Sequence, residues 1–143
     1  MRNTNTMIDP RAIFTKAPVF ASFAVKDIDQ ARDFYGRTLG LKVREDKEMG
    51  ILEIQSPDDS HVLVYPKPDH QPANFTVLNV QVREIDEAVD ALTSAGVKFE
   101  RYNTADIKTD AKGIARDDKQ GPSIAWFRDP SGNIVSVLEG TQS

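Results

Sequence analysis

The chain has 143 residues, 39% hydrophobic and 28% charged, which fits one soluble globular domain burying roughly 68–70% of the surface its unfolded form exposes. The absence of cysteine excludes disulfides, thiolate nucleophiles, Fe–S clusters and Cys-ligated zinc, and leaves His61 and His70 as the only imidazoles. A net charge of −4 with no basic run longer than two residues argues against a nucleic-acid partner, and no window approaches 18 uninterrupted apolar residues, so neither membrane span nor secretory leader is expected and the reading is cytoplasmic.

In chain order, residues 1–17 form an extension with no assigned element, and a single domain runs from 18 to 140. Val19–Lys26 mixes β-branched and aromatic residues and reads as a strand. Asp27, with Gln30 three residues on, caps a helix from about Ile28 to Leu39 whose stripe is Ile28, Ala31, Tyr35 and Leu39, stopped by Gly40. Strands follow near Lys42–Arg44, Gly50–Gln55 and Ser60–Tyr65, and the proline-rich segment 66–72 links to a second set. That set has a strand over Phe75–Val82, a helix with Ile85, Ala88, Val89 and Leu92, and strands near Lys98–Arg101, Ser123–Arg128 and Ile134–Glu139.

The two sets are one motif doubled. Val25–Ala31 recurs 57 positions later as Val82–Ala88, Gly40–Val43 recurs 56 positions later as Gly96–Phe99, and Ser56–Asp59 is echoed 73 positions later by Asp129–Gly132. The one-residue change in offset marks a small indel in the second helix. The larger offset places an insertion at 101–121, rich in charge and poor in apolar pattern, which we expect to be a mobile lid. Module one spans about 18–66 and module two about 73–140.

Val25-Lys26-Asp27, Phe34-Tyr35, Leu39-Gly40-Leu41 and the run Phe127–Asn133, in this order and spacing, resemble the glyoxalase / bleomycin-resistance / extradiol-dioxygenase (vicinal oxygen chelate) superfamily. The resemblance implies an α+β fold in which two βαβββ modules form a cupped mixed sheet. It also implies a homodimer closing the cup and a small-molecule site within it. Metal-dependent members carry a His before each helix and a carboxylate on each module's last strand. The matching positions here are Phe20, Val77, Ser136 and, with one residue of latitude, Leu63. These offer no ligand set, so neither metal nor other cofactor is expected. An unusual metal route, such as His61 with Glu53 and a further carboxylate, is the alternative left.

Strand alternation sends Phe20, Ser22 and Ala24 to the cup with Ala21, Phe23 and Val25 under the first helix. It likewise sends Val77, Asn79 and Gln81, His61, Leu63 and Tyr65, and Ser136 with Ile134 and Leu138 to the cup, and Trp126 if Phe127 lies under a helix. The expected ligand-binding set is Phe20, Ser22, His61, Leu63, Tyr65, Val77, Asn79, Gln81, Trp126 and Ser136, apolar and aromatic with a few neutral hydrogen-bonding groups. Each has a plainer role open to it: Phe20, Leu63 and Val77 as filling of a collapsed cup, Asn79 and Gln81 as strand-bonding amides, Trp126 as a core or interface aromatic, and His61 as an exposed edge histidine. His70, in the linker, is expected in solvent.

The leading expectation is metal-free binding of a partly aromatic compound, of sequestration or antibiotic-resistance type. The alternatives are a metal-independent isomerase or lyase with His61 or Tyr65 in proton transfer, then a metal-dependent lyase or dioxygenase, and an interaction protein with a filled cup.

Overall fold

A computed structural model describes residues 7–116 and 121–140. Its elements are α1 (Pro10–Phe14), β1 (Ala21–Val25), α2 (Ile28–Arg32, continuing as a π-helical stretch over Asp33–Thr38), β2 (Lys42–Asp46), β3 (Ile51–Gln55) and β4 (His61–Pro66). Module two adds β5 (Thr76–Val82), α3 (Ile85–Ser94), β6 (Ile114–Ala115), β7 (Ile124–Arg128) and β8 (Ile134–Glu139). Each module is a four-stranded mixed sheet, in the orders β1-β4-β3-β2 and β5-β8-β7-β6, with the first strand parallel to the last. This is the α+β doubled βαβββ architecture.

Hydrogen bonds reproduce the sequence repeat. The Lys67 amide donates to the Val25 carbonyl, and their repeat counterparts do the same, Gly140 amide to Val82 carbonyl, both at 2.9 Å. The β3–β4 and β7–β8 turns bond alike, Asp59 amide to Ser56 carbonyl and Gly132 amide to Asp129 carbonyl. Asp59 (φ 70°) and Gly132 (φ 88°) hold the same left-handed corner.

The single-residue indel is absorbed in α2. Its last turns bond from Leu39 amide to Phe34 carbonyl at 2.9 Å, an i to i−5 link that accommodates one extra residue, whereas α3 is regular. The expected helix over 28–39 is therefore present, with a wider turn in its second half. The extra residue lets two adjacent aromatics point inward. Tyr35 is fully buried edge-on to Phe23, and Phe34 lies 6.0 Å from Phe127 in the other module. Within this stretch a Cβ on Gly36 would meet nothing nearer than Val43 at 3.8 Å. Gly36→Ala should therefore stabilise by about 0.4–1 kcal/mol, measured by urea unfolding, because it removes backbone freedom from the unfolded chain without strain.

Three expectations need correction. The strand over 98–101 shrinks to a bridge, Phe99 opposite Phe127, with the Glu100 amide bonding Trp126 carbonyl. The chain then leaves the sheet for Arg101–Gly113 and rejoins the same edge as β6, Ile114 opposite Ala125. The insertion thus interrupts a strand. Second, the described part of the supposed lid, 101–116, is anchored. Ile114 is fully buried, and Gly113 (φ 95°) sits where a Cβ would come within 2.8 Å of Phe99. Lys112 pairs with Asp86 (3.1 Å) and Asp90 (2.8 Å) on α3, and Arg116 with Asp86 (2.6 Å) and Asp110 (3.1 Å). Those cations hold Asp86 below the usual carboxylate range. The alternating charges are partners for α3, which a single-chain pattern reads as solvated. Asp117, Asp118 and Lys119 lie outside the described residues. Third, the N-terminal extension carries α1, with Asp9 capping and Pro10 at its first position, signals present in the sequence.

The core joins the modules. Phe23, Val25, Tyr35, Leu52, Ile54 and Val64 cluster with Ile85, Val89, Phe127, Val135 and Val137. At the junction the buried Tyr35 hydroxyl donates to the Asp129 carboxylate at 2.7 Å. Asp129 also accepts the amides of Ser131 and Asn133 at 2.9 Å and the Asn133 side chain at 3.1 Å. Asn133 reaches on to Ala24 carbonyl of β1 at 2.8 Å, and Ser131 hydroxyl accepts from Lys26 amide at 2.8 Å. Burial first, and Asp129 second, push the Tyr35 hydroxyl far above its ordinary value.

Candidate functional site

Period-two alternation divides both sheets. Phe23, Val25, Leu52, Ile54 and Val64 go to the helix side of the first, and Ala125, Phe127, Val135 and Val137 to that of the second, all buried. The opposite face of module one carries Ser22, Leu63 and Glu53 in one row across β1, β4 and β3, and His61 beside Gln55 in the next. In module two the equivalent row is Asn79, Ser136 and Trp126 across β5, β8 and β7.

The register fixes the uncertain position. Ser22 pairs with Leu63, and Asn79, the repeat counterpart of Ser22, pairs with Ser136. Leu63 is thus the counterpart of Ser136, while Val62 and Val64 turn toward the helix. Val77 lies at a bulge between Thr76 and Leu78, which breaks the pairing at its own position. Phe20 precedes β1, 58% exposed, and stacks on His61 with ring centroids 5.2 Å apart. Of these four positions only Ser136 has a polar side chain; it is buried, and its hydroxyl donates to the Asn79 side-chain carbonyl. A divalent ion needs several N, O or S donors, so this set does not fit one. Among the described residues no group of three or more His, Asp or Glu is arranged to hold an ion, which removes the His61–Glu53 route there.

His61 differs from the exposed edge residue expected. β4 is an interior strand, and His61 is half-buried beneath Phe20. Glu53, its diagonal neighbour, accepts from Gln55 at 3.0 Å and Arg44 at 3.1 Å. These bonds, Gln55 foremost, with a smaller contribution from His61, hold the Glu53 carboxyl below its usual range. Glu53, Gln55 and Arg44 were missed as a group facing the cup. The signal was there: in Ile51–Gln55, apolar Leu52 and Ile54 alternate with Glu53 and Gln55. His70 also departs from expectation, being half-buried with its Nε2 buried and without a hydrogen-bond partner among the described residues.

The remaining candidates lie where alternation sends them but not in one enclosure. Trp126 is half-buried opposite Ser136 and meets Tyr102, from the strand excursion, edge-on at 5.6 Å. Tyr65, 39% exposed, is at the end of β4 opposite Ala24. Ser22 and Val77 line a cleft of about 460 Å³ between β1 and β5. His61, Asn79 and Gln81 line another of about 920 Å³. Leu63, Tyr65, Trp126 and Ser136 line neither: Tyr65 is exposed, Leu63 and Trp126 are half-buried and Ser136 is buried. Chemically, the face offers aromatic surfaces at Phe20, Trp126 and Tyr102, neutral amides and hydroxyls, and one histidine beside a carboxylate. No helix among the described residues is long and apolar enough to cross a membrane.

Comparison with known proteins agrees with this architecture. Residues 18–137 match the family model of the Glyoxalase/Bleomycin resistance protein/Dioxygenase superfamily. A glyoxalase family protein from Bacillus anthracis is similar at 21% identity and TM-score 0.65, covering 99% of this chain and 100% of its own. The fosfomycin resistance protein FosX from Listeria monocytogenes is similar at 11% identity and TM-score 0.65, covering 88% and 94%. A glyoxalase/bleomycin resistance protein from Streptomyces sp. CB03234 is similar at 22% identity and TM-score 0.57, covering 83% and 96%. No curated protein matches the sequence. The doubled βαβββ sheet, its matched registers and the family model spanning both modules together show that the chain belongs to the Glyoxalase/Bleomycin resistance protein/Dioxygenase superfamily.

Proposed function

We propose that this protein is a cytoplasmic, metal-free binder of a small, partly aromatic molecule, held in a cup completed by a second copy of the chain and serving sequestration or resistance. One observation carries the reading: the scaffold is retained in both modules while the four positions that would hold an ion are Phe20, Leu63, Val77 and Ser136, with Leu63 and Ser136 at matched registers. Aromatic and apolar groups at those places suit a planar ligand, with Asn79, Gln81 and Ser22 supplying hydrogen bonds at the rim. Val19 at 90%, Phe20 at 58% and Phe75 at 64% exposed, all just before β1 and β5, support closure by a partner.

Trp126 is the only tryptophan, so its fluorescence reports on the cup directly. Titration with 2-naphthamide, a planar aromatic amide, is expected to shift that emission saturably. Phe20→Ala should weaken the affinity roughly three- to tenfold, as loss of an aromatic contact does, and light scattering should return twice the 15.9 kDa chain mass. No saturable change with any aromatic probe, together with a monomeric mass, would remove the proposal.

A second reading rests on the placement of His61 beside Glu53 under Phe20. A metal-independent isomerase or lyase would use His61 as the proton carrier with Glu53 orienting it. Turnover lost in His61→Ala while 2-naphthamide binding persists would favour it.

A further inference from the structure

The two ends of the seam between the modules are related by the internal repeat, yet only one is closed. At the closed end the Asp129–Asn133 turn bonds to Ala24 and Lys26 of β1, and Phe34 and Tyr35 fill the space behind it. The repeat maps this turn onto Ser56–Ser60, Ala24 and Lys26 onto Gln81 and Arg83, and Phe34 and Tyr35 onto Ala91 and Leu92. The latch therefore has no second copy. Ser56 and Ser60 stand in for Asp129 and Asn133, no hydrogen bond joins that turn to β5 among the described residues, and two aromatic rings are replaced by Ala and Leu. What is left is a groove of about 920 Å³ lined by Ser56, Ser60, Gln81 and Arg83, the counterparts of the latch residues.

We propose that this groove is a second binding site, beside the cup, for a small carboxylic acid with an aliphatic body. Its walls include Leu41, Ile54, Leu78, Val80 and Leu138, all aliphatic, and its volume lies in the range of small-molecule pockets. It adjoins the cup along Gln55, His61, Asn79, Gln81 and Leu138, which alternation turns to the cup face. Two of its lining residues are formally charged. Asp58 is turned onto Ser60, accepting its backbone amide at 3.0 Å and its hydroxyl. Arg83 is exposed and has no carboxylate partner among the described residues. An aliphatic wall with one unpaired guanidinium selects an anionic head, and a carboxylate matches its planar donor pair.

Octanoate tests this, with 1-octanol as the uncharged control. Calorimetry is expected to show one saturable octanoate site per chain, and amide NMR shifts should centre on Leu78, Val80 and Arg83 rather than on the Trp126 indole. Arg83→Gln, an exposed substitution that spares the core, should weaken octanoate about tenfold and leave octanol unchanged. Val80→Phe, which puts a ring into the groove, should abolish octanoate binding while 2-naphthamide still shifts Trp126 fluorescence. Absence of a saturable octanoate site, unchanged affinity in Arg83→Gln, or shifts centred on Trp126 would each overturn the proposal. The 2-naphthamide titration of Trp126 fluorescence is read separately, so failure of the groove and failure of the cup are distinguishable.

Discussion

Replacing Asp129 by alanine is expected to lower stability by about 3–5 kcal/mol, which for a chain of this size displaces the melting temperature by roughly 10 °C or more. The carboxylate is 5% exposed and accepts four hydrogen bonds. Its removal strands the Tyr35 hydroxyl, which is fully buried, and loosens Asn133, through which the turn holds β1. A buried donor without a partner costs about 1–3 kcal/mol, and several are created at once. Tyr35→Phe should cost less, about 1–2 kcal/mol, because Asp129 keeps three donors. The double variant should fall short of the sum of the singles, as expected for residues that touch. Additive losses in a double-mutant cycle followed by urea unfolding would show that the pair is not coupled.

The same pair gives a pH dependence. Tyr35 in the folded protein ionises far above its ordinary value, so the folded state binds the proton more tightly than the unfolded chain. The stabilisation is complete below the unfolded tyrosine value near about 10. It declines as the pH rises beyond that, because unfolding then releases a proton. Tyr35→Phe should flatten the loss of stability between about pH 9.5 and 11. An identical slope in the variant would count against this assignment.

Deleting Gly36 should cost little, within about 1 kcal/mol, because the wide turn is what absorbs the extra residue: without it the Leu39 amide still reaches the Phe34 carbonyl, now as an ordinary i to i−4 bond, and Phe34 and Tyr35 keep Phe127 and Asp129. Deleting Gly36 and Arg37 together leaves no wide turn to absorb the second loss and turns everything on one side of the stretch by about one residue's rotation, roughly 100°. Either Phe34 and Tyr35 then leave Phe127 and Asp129, or Leu39 and Leu41 leave the packing they share with the core, at about 3–5 kcal/mol. Gly36→Ala, by contrast, should stabilise. A tolerated single deletion beside a damaging double deletion would identify register, rather than the glycine, as what the helix requires. Circular dichroism and urea unfolding of these variants measure it.

The doubled motif was legible because VKDIDQA and VREIDEA keep both the capping position and the helical stripe, and both are local. Which face each strand turns to the cup was legible too, since alternation needs only one fixed residue per strand. Other features depended on contacts between distant parts of the chain. The one-residue offset between helices was visible, but its resolution as a π-helical turn depends on Tyr35 reaching Asp129, 94 residues away. The anchoring of 101–116 depends on Asp86 and Asp90, which in a linear reading look like the solvated face of α3. The position of β6 at Ile114–Ala115 follows from pairing with β7, and two residues carry no periodicity from which to read a strand. The seam groove is an absence, of two aromatic rings and a carboxylate, and becomes visible only when the two modules are superposed through their registers.

Native mass spectrometry of protein purified without chelators tests the central claim most directly, because it weighs subunits, metals and small molecules in one experiment. The expected spectrum is a dimer of the 15.9 kDa chain, free of equimolar zinc, nickel or iron, with any adduct organic and lost on denaturation. Added metal should then leave the melting temperature unchanged, whereas a site occupied at 100 times its Kd would contribute about 2.7 kcal/mol. A stoichiometric transition metal that stabilises the fold and disappears in His61→Ala would contradict the account.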